Sequence, residues 1–422
     1  MLLTLLVWLG LGLLVGLAEW PYQLLSELGF QLQQRLWLQA AAPVGLGVSL
    51  VFGGGVVLLL LAWGPLSAGR GGGLTPVLLL QQSPETAAPL DHLDLRTQLR
   101  RLPLLLLTHL AGFSVGVESP SAALGASLLL AFRRRWPQLR AWSALPLPLV
   151  AAIGGGAGLG AAFRSPLLGA AYAIEELSRE KGLSLVLPTL LLAGSGAAVA
   201  TSLGQPARLA GLELGGLGPE LWAWALLITV AGALIGSLFV RLLIPLAAWL
   251  RQRLRQRRLL TALGVAALLA ALAVLSGGLS LNDGSLSLAA ALQGESGGNL
   301  ATLLWRFLAS LLCIAAAAPG GLMHDAMTLG SLLASPLGFL PPESRAQLAA
   351  IGAAALFAAA NRTPIFCALF VFTLQGDPQL LLPLLLASAI STVLAERWRP
   401  TTWNAAQVQA AMPPPSLDPA LP

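Results

Sequence analysis

Charge is what this chain has little of. Only 10% of its 422 residues are charged while 56% are hydrophobic, and a water-soluble fold of this length could not hide so much apolar surface. Lysine is almost missing, Lys181 being the only one, and histidine occurs three times. The two cysteines, Cys313 and Cys367, stand apart in apolar runs and read as small packing residues. No CxxC, no HExxH and no metal-spaced His/Cys set is present, so no metal or other cofactor is expected. The net charge of +6 is almost all arginine, yet the arginines gather at segment ends, as at Arg133 to Arg135 and Arg251 to Arg258. Such clusters anchor segment ends at headgroup level and argue against a nucleic-acid partner.

What the chain does have is long apolar runs. Residues 45–63, 183–202 and 220–250 are each long enough to cross a bilayer, and shorter runs bring the total to about fifteen. The runs of about 10–15 residues read as half-spanning or buried helices. The class expected is an all-α polytopic membrane protein with the lipid bilayer as its surroundings. The N-terminal MLLTLLVWLGLGLLVGL lacks a basic leader and an A-x-A site, which reads as a retained helix. The Pro-rich stretch from Met412 reads as a disordered end of a tail covering 404–422, with no regulatory domain appended.

Several runs open on a hydroxyl residue followed by proline: Thr75-Pro76, Ser119-Pro120, Ser165-Pro166 and Thr363-Pro364. A hydroxyl at N-cap with proline at the first helical position is a helix-start signature. Few charges surround three of the four, so these helices are expected to begin inside the apolar zone, where their free N–H groups need protein or ligand. The chain also repeats itself. GVESPSAALGASLL (116–129) aligns with GLMHDAMTLGSLL (321–333) at an offset of 205 residues, pairing Gly116 with Gly321 and Gly125 with Gly330. AAFRSPLLGAAYAI (161–174) aligns with AANRTPIFCALFVF (359–372) at an offset of 198. Two blocks in one order predict a duplicated membrane unit, 1–206 and 207–403. Duplicated halves with interrupted helices are a transporter architecture with its substrate near the midplane. Three Gly-rich helix entries, at 69–76, 116–120 and 319–322, offer backbone N–H groups to a small anion without any membrane lysine or arginine.

Glu118 stands out among these residues. An acid beside a buried helix start is costly, and such intramembrane acids are usually functional. Ionised, it can lie where an anion would sit; protonated, it should leave. Glu176, in AIEEL, reads equally well as a helix-end acid at the membrane surface. His324 and Asp325 point in diverging directions on a helix start, with no third ligand evident, and read as polar lining or capping rather than a metal site. Ser296 in GESGG superficially matches an intramembrane hydrolase motif, but none of His92, His109 and His324 pairs with it by pattern, so a loop is expected.

Five motifs in order resemble the chloride channel and chloride/proton antiporter (ClC) family. GAGLGAAFRSPLLGAAYAIEEL (156–177) is similar to the family's Gly/Ala turn, Phe-x-x-Pro and Glu-Glu helix end. GVESP is similar to GREGP, AAAAPGGLMHD to GAPGGIFAP, GGGLTP to GSGIP, and 355–372 to the helix after the second Gly-rich loop. The resemblance implies two inverted repeats with broken helices, a homodimer with one pore per subunit, and Glu118 as gate. It implies that Glu176 is the inner proton-transfer acid, which favours a proton-coupled chloride antiporter over a passive gated channel. Gly72, Gly73, Gly116, Val117, Gly321, Leu322, Met323 and Trp403 fall at its anion-pathway positions. The chain departs from the family pattern in four places: Gly73 stands for a serine, Met323 for an aromatic, Asp325 for a proline, and Trp403 or Thr402 for a tyrosine. Two side-chain anion donors are thereby lost, leaving the choice among chloride, nitrate, fluoride and bromide open. The arginine-rich, lysine-poor composition fits a compact prokaryotic protein of the inner or plasma membrane, acting as a transporter and not an enzyme.

Overall fold

In a bilayer, apolar runs can satisfy their backbone only by hydrogen-bonding within themselves, so a chain of this composition folds as helices. A computed structural model describes residues 2–39, 41–82, 88–205, 214–398 and 401–412. Its first half runs α1 (Leu2–Trp37), α2 (Val44–Ala62), α3 (Thr75–Gln82), α4 (Ala88–His92), α5 (Leu95–Leu110), α6 (Glu118–Arg135), α7 (Leu147–Ala162), α8 (Pro166–Tyr172) and α9 (Leu183–Ser202). The second half runs α10 (Trp222–Gln256), α11 (Arg258–Leu275), α12 (Ser285–Leu292), α13 (Leu300–Ala315), α14 (Met323–Ser331), α15 (Pro342–Asn361), α16 (Pro364–Gln375) and α17 (Leu381–Trp398). A final α18 (Trp403–Ala411) returns to the interior. The residues expected to open the 404–422 tail are therefore helical, while 413–422 lie outside the described residues.

Six of the described helices are long and apolar enough to span, and the chain is a multi-pass integral membrane protein. The runs expected at 45–63, 183–202 and 220–250 are α2, α9 and α10. The N-terminal apolar stretch is the first half of α1, a helix of 36 residues. By contrast α3, α8 and α14 have only 8, 7 and 9 residues, too few to cross. They are the broken helices.

The duplication is written into the backbone. Helices α5 and α13 have 16 residues each, and each ends in a left-handed turn, at Gly112 (φ 66) and Ala317 (φ 57). Helices α7 and α15 end in a second pair, Arg164 (φ 51) and Arg362 (φ 60), just ahead of Ser165-Pro166 and Thr363-Pro364. A left-handed arginine is sterically disfavoured, so its recurrence at the matching place marks a geometry that the following short helix requires. The next link is close packing of small residues. A Cβ on Gly125 would lie 2.2 Å from the Gly154 carbonyl oxygen, and one on Gly330 would lie 2.1 Å from that of Gly352. These crossings bring backbones together without side chains, as small residues do between membrane helices. The expected junction between halves, at 206 and 207, lies outside the described residues.

One buried ion pair fastens the second half. Arg306 of α13 reaches Asp325 of α14 at 3.0 Å, with both side chains at 0% exposure. Arg306 also donates to the carbonyls of Leu279, Leu281 and Asn282, and Asp325 accepts from the Ser114 and Ser310 hydroxyls. Asp325 was expected to line or cap; instead it is neutralised and turned away from its neighbour His324.

Two stability outcomes follow. Gly125→Val should cost about 1–3 kcal/mol by overpacking, while Gly10→Ala, with nothing within 4 Å, should leave thermal unfolding in detergent unchanged. Arg306→Met strands a buried carboxylate and should cost about 3–5 kcal/mol, with part of the loss recovered when Asp325→Asn is added.

Candidate functional site

The N-termini of α6 and α14 meet head to head. Gly116 N–H donates to Gly321 O at 3.0 Å, and Gly321 N–H donates back to Gly116 O at 2.7 Å. These are the two glycines that the internal alignment pairs. Both positions need glycine for a second reason. A Cβ on Gly116 would lie 2.3–2.6 Å from the Glu118 carboxyl group, and one on Gly321 would lie 2.7 Å from Ser119 Oγ. The Glu118 side chain thus folds back over its own helix start, across both glycines, at 0% exposure. Free N–H groups and the helix dipole favour negative charge there, whether a carboxylate or a bound anion. One Glu118 oxygen is paired with His324 Nδ1.

Two cavities approach this carboxylate and neither includes it. A wide one of ≈ 480 Å³ is lined by His324, Phe163, Arg164, His109 and Asp283, among others. A narrow one of ≈ 80 Å³ is lined by Gly72, Gly73, Ser119, Gly321, Leu322, Met323 and Trp403. Glu118 touches a residue of each lining, His324 of the wide one and Gly321 of the narrow one, where a Cβ would lie 3.2 Å from its carboxyl oxygen. Gly116 and Val117, also expected on the anion path, do not line the narrow cavity; they form the turn that aims Glu118.

Short elements shape the narrow cavity. The loop before α3 carries left-handed Gly71 and Gly73, and Gly71 N–H donates to Ala317 O at 3.0 Å. Gly73, expected at the serine position, lines the cavity through its backbone, but a side chain there would point away. A Cβ on it would lie 2.3 Å from a guanidinium nitrogen of buried Arg101, which donates to Gly69 O at 3.2 Å. The Cβ direction at Gly72 points instead at cavity-lining Ser119, 2.6 Å from its Cβ.

The helix starts also shift by one residue. Ser119 was expected to cap and Pro120 to open the helix, but α6 begins at Glu118 with Val117 at N-cap and no side-chain cap. Likewise α3 begins at Thr75, whose hydroxyl donates to Gln407 Oε1 at 2.9 Å; Pro76 is its second residue. The first-turn N–H groups have no helical acceptor, so a proline there forfeits nothing wherever it stands in that turn. Ser119 is released from capping and lines the cavity. Ser165 does cap as expected, accepting from Leu168 N–H; Thr363 holds the N-cap place without a side-chain cap, its hydroxyl accepting from Asn361 at 2.8 Å.

The acid pair of AIEEL divides its roles. Glu175 accepts from Ile365 N–H at 3.2 Å and Phe366 N–H at 2.6 Å, capping α16. Glu176 instead accepts from Asn404 Nδ2 at 2.6 Å, one residue beyond cavity-lining Trp403. Thr402 caps α18, accepting from Ala405 N–H at 3.2 Å, so Trp403 takes the wall. Tyr172 of α8 packs its ring on Phe366 of α16, with centroids 4.6 Å apart.

His324, read as polar lining, does line the wide cavity and in addition touches the Glu118 carboxyl group, a contact the sequence reading did not foresee. Sequence reasoning missed two other residues here. Asn404 lay in the supposed tail, and Arg101 sat among loop-like arginines. Ser296 is exposed in the loop between α12 and α13, its hydroxyl 3.4 Å from Gly298 O, while His324 is engaged with Glu118. No group of three or more metal-ligating side chains occurs among the described residues.

The geometry has known counterparts. The chain is 29% identical over 310 residues to the H(+)/Cl(-) exchange transporter ClcA of Yersinia pestis bv. Antiqua (strain Angola), covering 68% of this chain and 62% of that one. It is 28% identical over 313 residues to that of Klebsiella pneumoniae (strain 342), covering 68% and 63%. The match thus spans less than two thirds of these relatives' length. A crystal structure of a CLC-type fluoride/proton antiporter superimposes with TM-score 0.75 at 21% identity, covering 96% of this chain and 97% of that one. A slow cyanobacterial Cl-/H+ antiporter gives 0.75 at 19% identity, covering 96% and 97%. At such identities the superpositions speak to fold, which is that of the CLC antiporters. Residues 52–396 match the voltage gated chloride channel family, and to that family this chain belongs.

Proposed function

We propose that this protein is a proton-coupled anion antiporter, with Glu118 as its gate and Glu176 as the acid that exchanges protons with the narrow-cavity side. The observation that carries the reading is the seat of Glu118. Its carboxylate lies at two opposed helix N-termini, buried, between two cavities, where the electrostatics favour an anion of any kind. An anion entering that seat must displace the carboxylate, and a proton on the carboxylate weakens its hold there. Exchange of one for the other is coupled transport. The antiporter names of the relatives support the same reading.

On this reading Gly72, Gly73, Gly321, Leu322 and Met323 offer backbone to the anion, Ser119 a hydroxyl and Trp403 an indole N–H. Asn404 orients Glu176. The working unit is a homodimer in the prokaryotic inner or plasma membrane, and each subunit holds repeats 1–206 and 207–403. Chloride or a related small anion is the cargo. No chemistry on a substrate is involved.

The test is anion flux from proteoliposomes with simultaneous pH recording. An imposed anion gradient should drive protons uphill; anion flux without proton movement would overturn the antiport and leave a passive channel on the same fold. Glu118→Ala and Glu176→Ala should each cut proton movement at least tenfold while anions still pass, and coupling intact in both would sink the assignment of these acids. Ser296→Ala should transport as the native chain does.

A further inference from the structure

The buried imidazole of His324 has no task in the account above. It sits at the second position of α14, 2% exposed, with Nδ1 on the Glu118 carboxylate. Its ring is held in a fixed plane. Phe163 stacks on it at a centroid distance of 5.6 Å and an angle of 24°, and Phe370 meets it edge-on at 5.6 Å and 86°. The same ring forms part of the wall of the wide cavity. With Nδ1 taken by Glu118, Nε2 is the nitrogen left to the cavity. His324 thus both touches the Glu118 carboxylate and borders the wider of the two cavities.

We propose that His324 is the proton relay between Glu118 and the wide cavity, and the latch that holds the unprotonated gate closed. The inference deepens the antiport reading and rests on it. When Glu118 carries a proton, its O–H bond breaks as an Nδ1–H bond forms. The proton on Nε2 then passes to cavity water, leaving a carboxylate hydrogen-bonded to Nδ1–H. Protons entering from the cavity take the reverse route. The ring returns to its first tautomer through water exchange once Glu118 swings out. Imidazole suits the role because its two nitrogens exchange proton-donor and acceptor roles.

Other ionisable groups near the ring are few and distributed. Glu118 faces it from α6, with Tyr172 of α8 behind that acid. His109 at the end of α5, Arg164 after α7, Asp283 before α12 and Glu27 of α1 share the cavity wall. Its neighbour Asp325 and Arg306 of α13 are occupied with each other. No second side chain bridges the carboxylate to the cavity in the described hydrogen bonds and ion pairs.

Two variants and one spectrum test this. In reconstituted vesicles, His324→Ala and His324→Gln should each lower the ratio of protons to anions moved at least tenfold, and flatten its dependence on pH between 5 and 8. Glutamine keeps a donor to Glu118 but cannot pass a proton through, so native coupling in His324→Gln reduces the residue to a positioning role and overturns the relay. Because the chain has only three histidines, ¹⁵N-imidazole spectra of the full chain in detergent read the contact without transport. Glu118→Gln should change the tautomer balance and titration of one histidine alone, and that signal should vanish in His324→Gln. Three unchanged signals overturn the latch. A native protein that moves no protons overturns antiport and relay together; a coupled native protein with coupled His324 variants overturns the relay alone.

Discussion

Everything at the centre of this protein depends on two hydrogen bonds between glycines. Gly116 and Gly321 exchange N–H and carbonyl across the interface of the halves, and so hold α6 and α14 with their N-termini facing. Without side chains they leave room for the Glu118 carboxyl group to lie across them. A single Cβ at Gly116 would take that seat. Backbone at this depth is tolerated only where protein or ligand satisfies it. Here it satisfies itself twice over, each glycine donating one hydrogen bond and accepting one.

Around that pair, charge is placed with economy. The fully buried Arg306 and Asp325 cancel each other, and serines and loop carbonyls add further hydrogen bonds to both. Arg101 props the Gly71–Gly73 loop from behind. Two further acids are each held by a polar side chain from a distant helix: Glu118 by a histidine, and Glu176 by an asparagine of the last helix. The two cavities near Glu118 are unequal in size and lining: the wide one includes the His324 ring, while the narrow one is lined by glycine backbone, a hydroxyl and an indole.

Much of the fold was legible because the bilayer imposes simple rules. Lengths of apolar runs gave the spanning helices, and hydroxyl-proline pairs marked the short helices to within one residue. The duplicated blocks reappear as matching left-handed turns at Gly112 and Ala317, and at Arg164 and Arg362. Helix boundaries at Ser119 and Thr75 were misjudged because a proline anywhere in the first turn loses no helical bond, so it cannot report which residue caps. The start of the tail was misjudged because polarity near an end reads as solvent exposure, whereas here it hydrogen-bonds a half-buried acid.

The sequence by itself determined the class, the broken helices, the duplication and the presence of an acid at a helix start among apolar runs. Each follows from local pattern: hydropathy, punctuation by glycine and proline, and the cost of charge in lipid. Only the tertiary structure decided which residues share a site. His324 and Glu118 are 206 positions apart, as Asn404 and Glu176 are 228 apart, and no local rule pairs them. It also decided which of two adjacent acids is spent on a helix cap, and toward which neighbour each glycine of the loop would direct a side chain. Those choices depend on where backbones approach within a few ångströms, and that distance is set by the packing of distant segments rather than by neighbours in the chain.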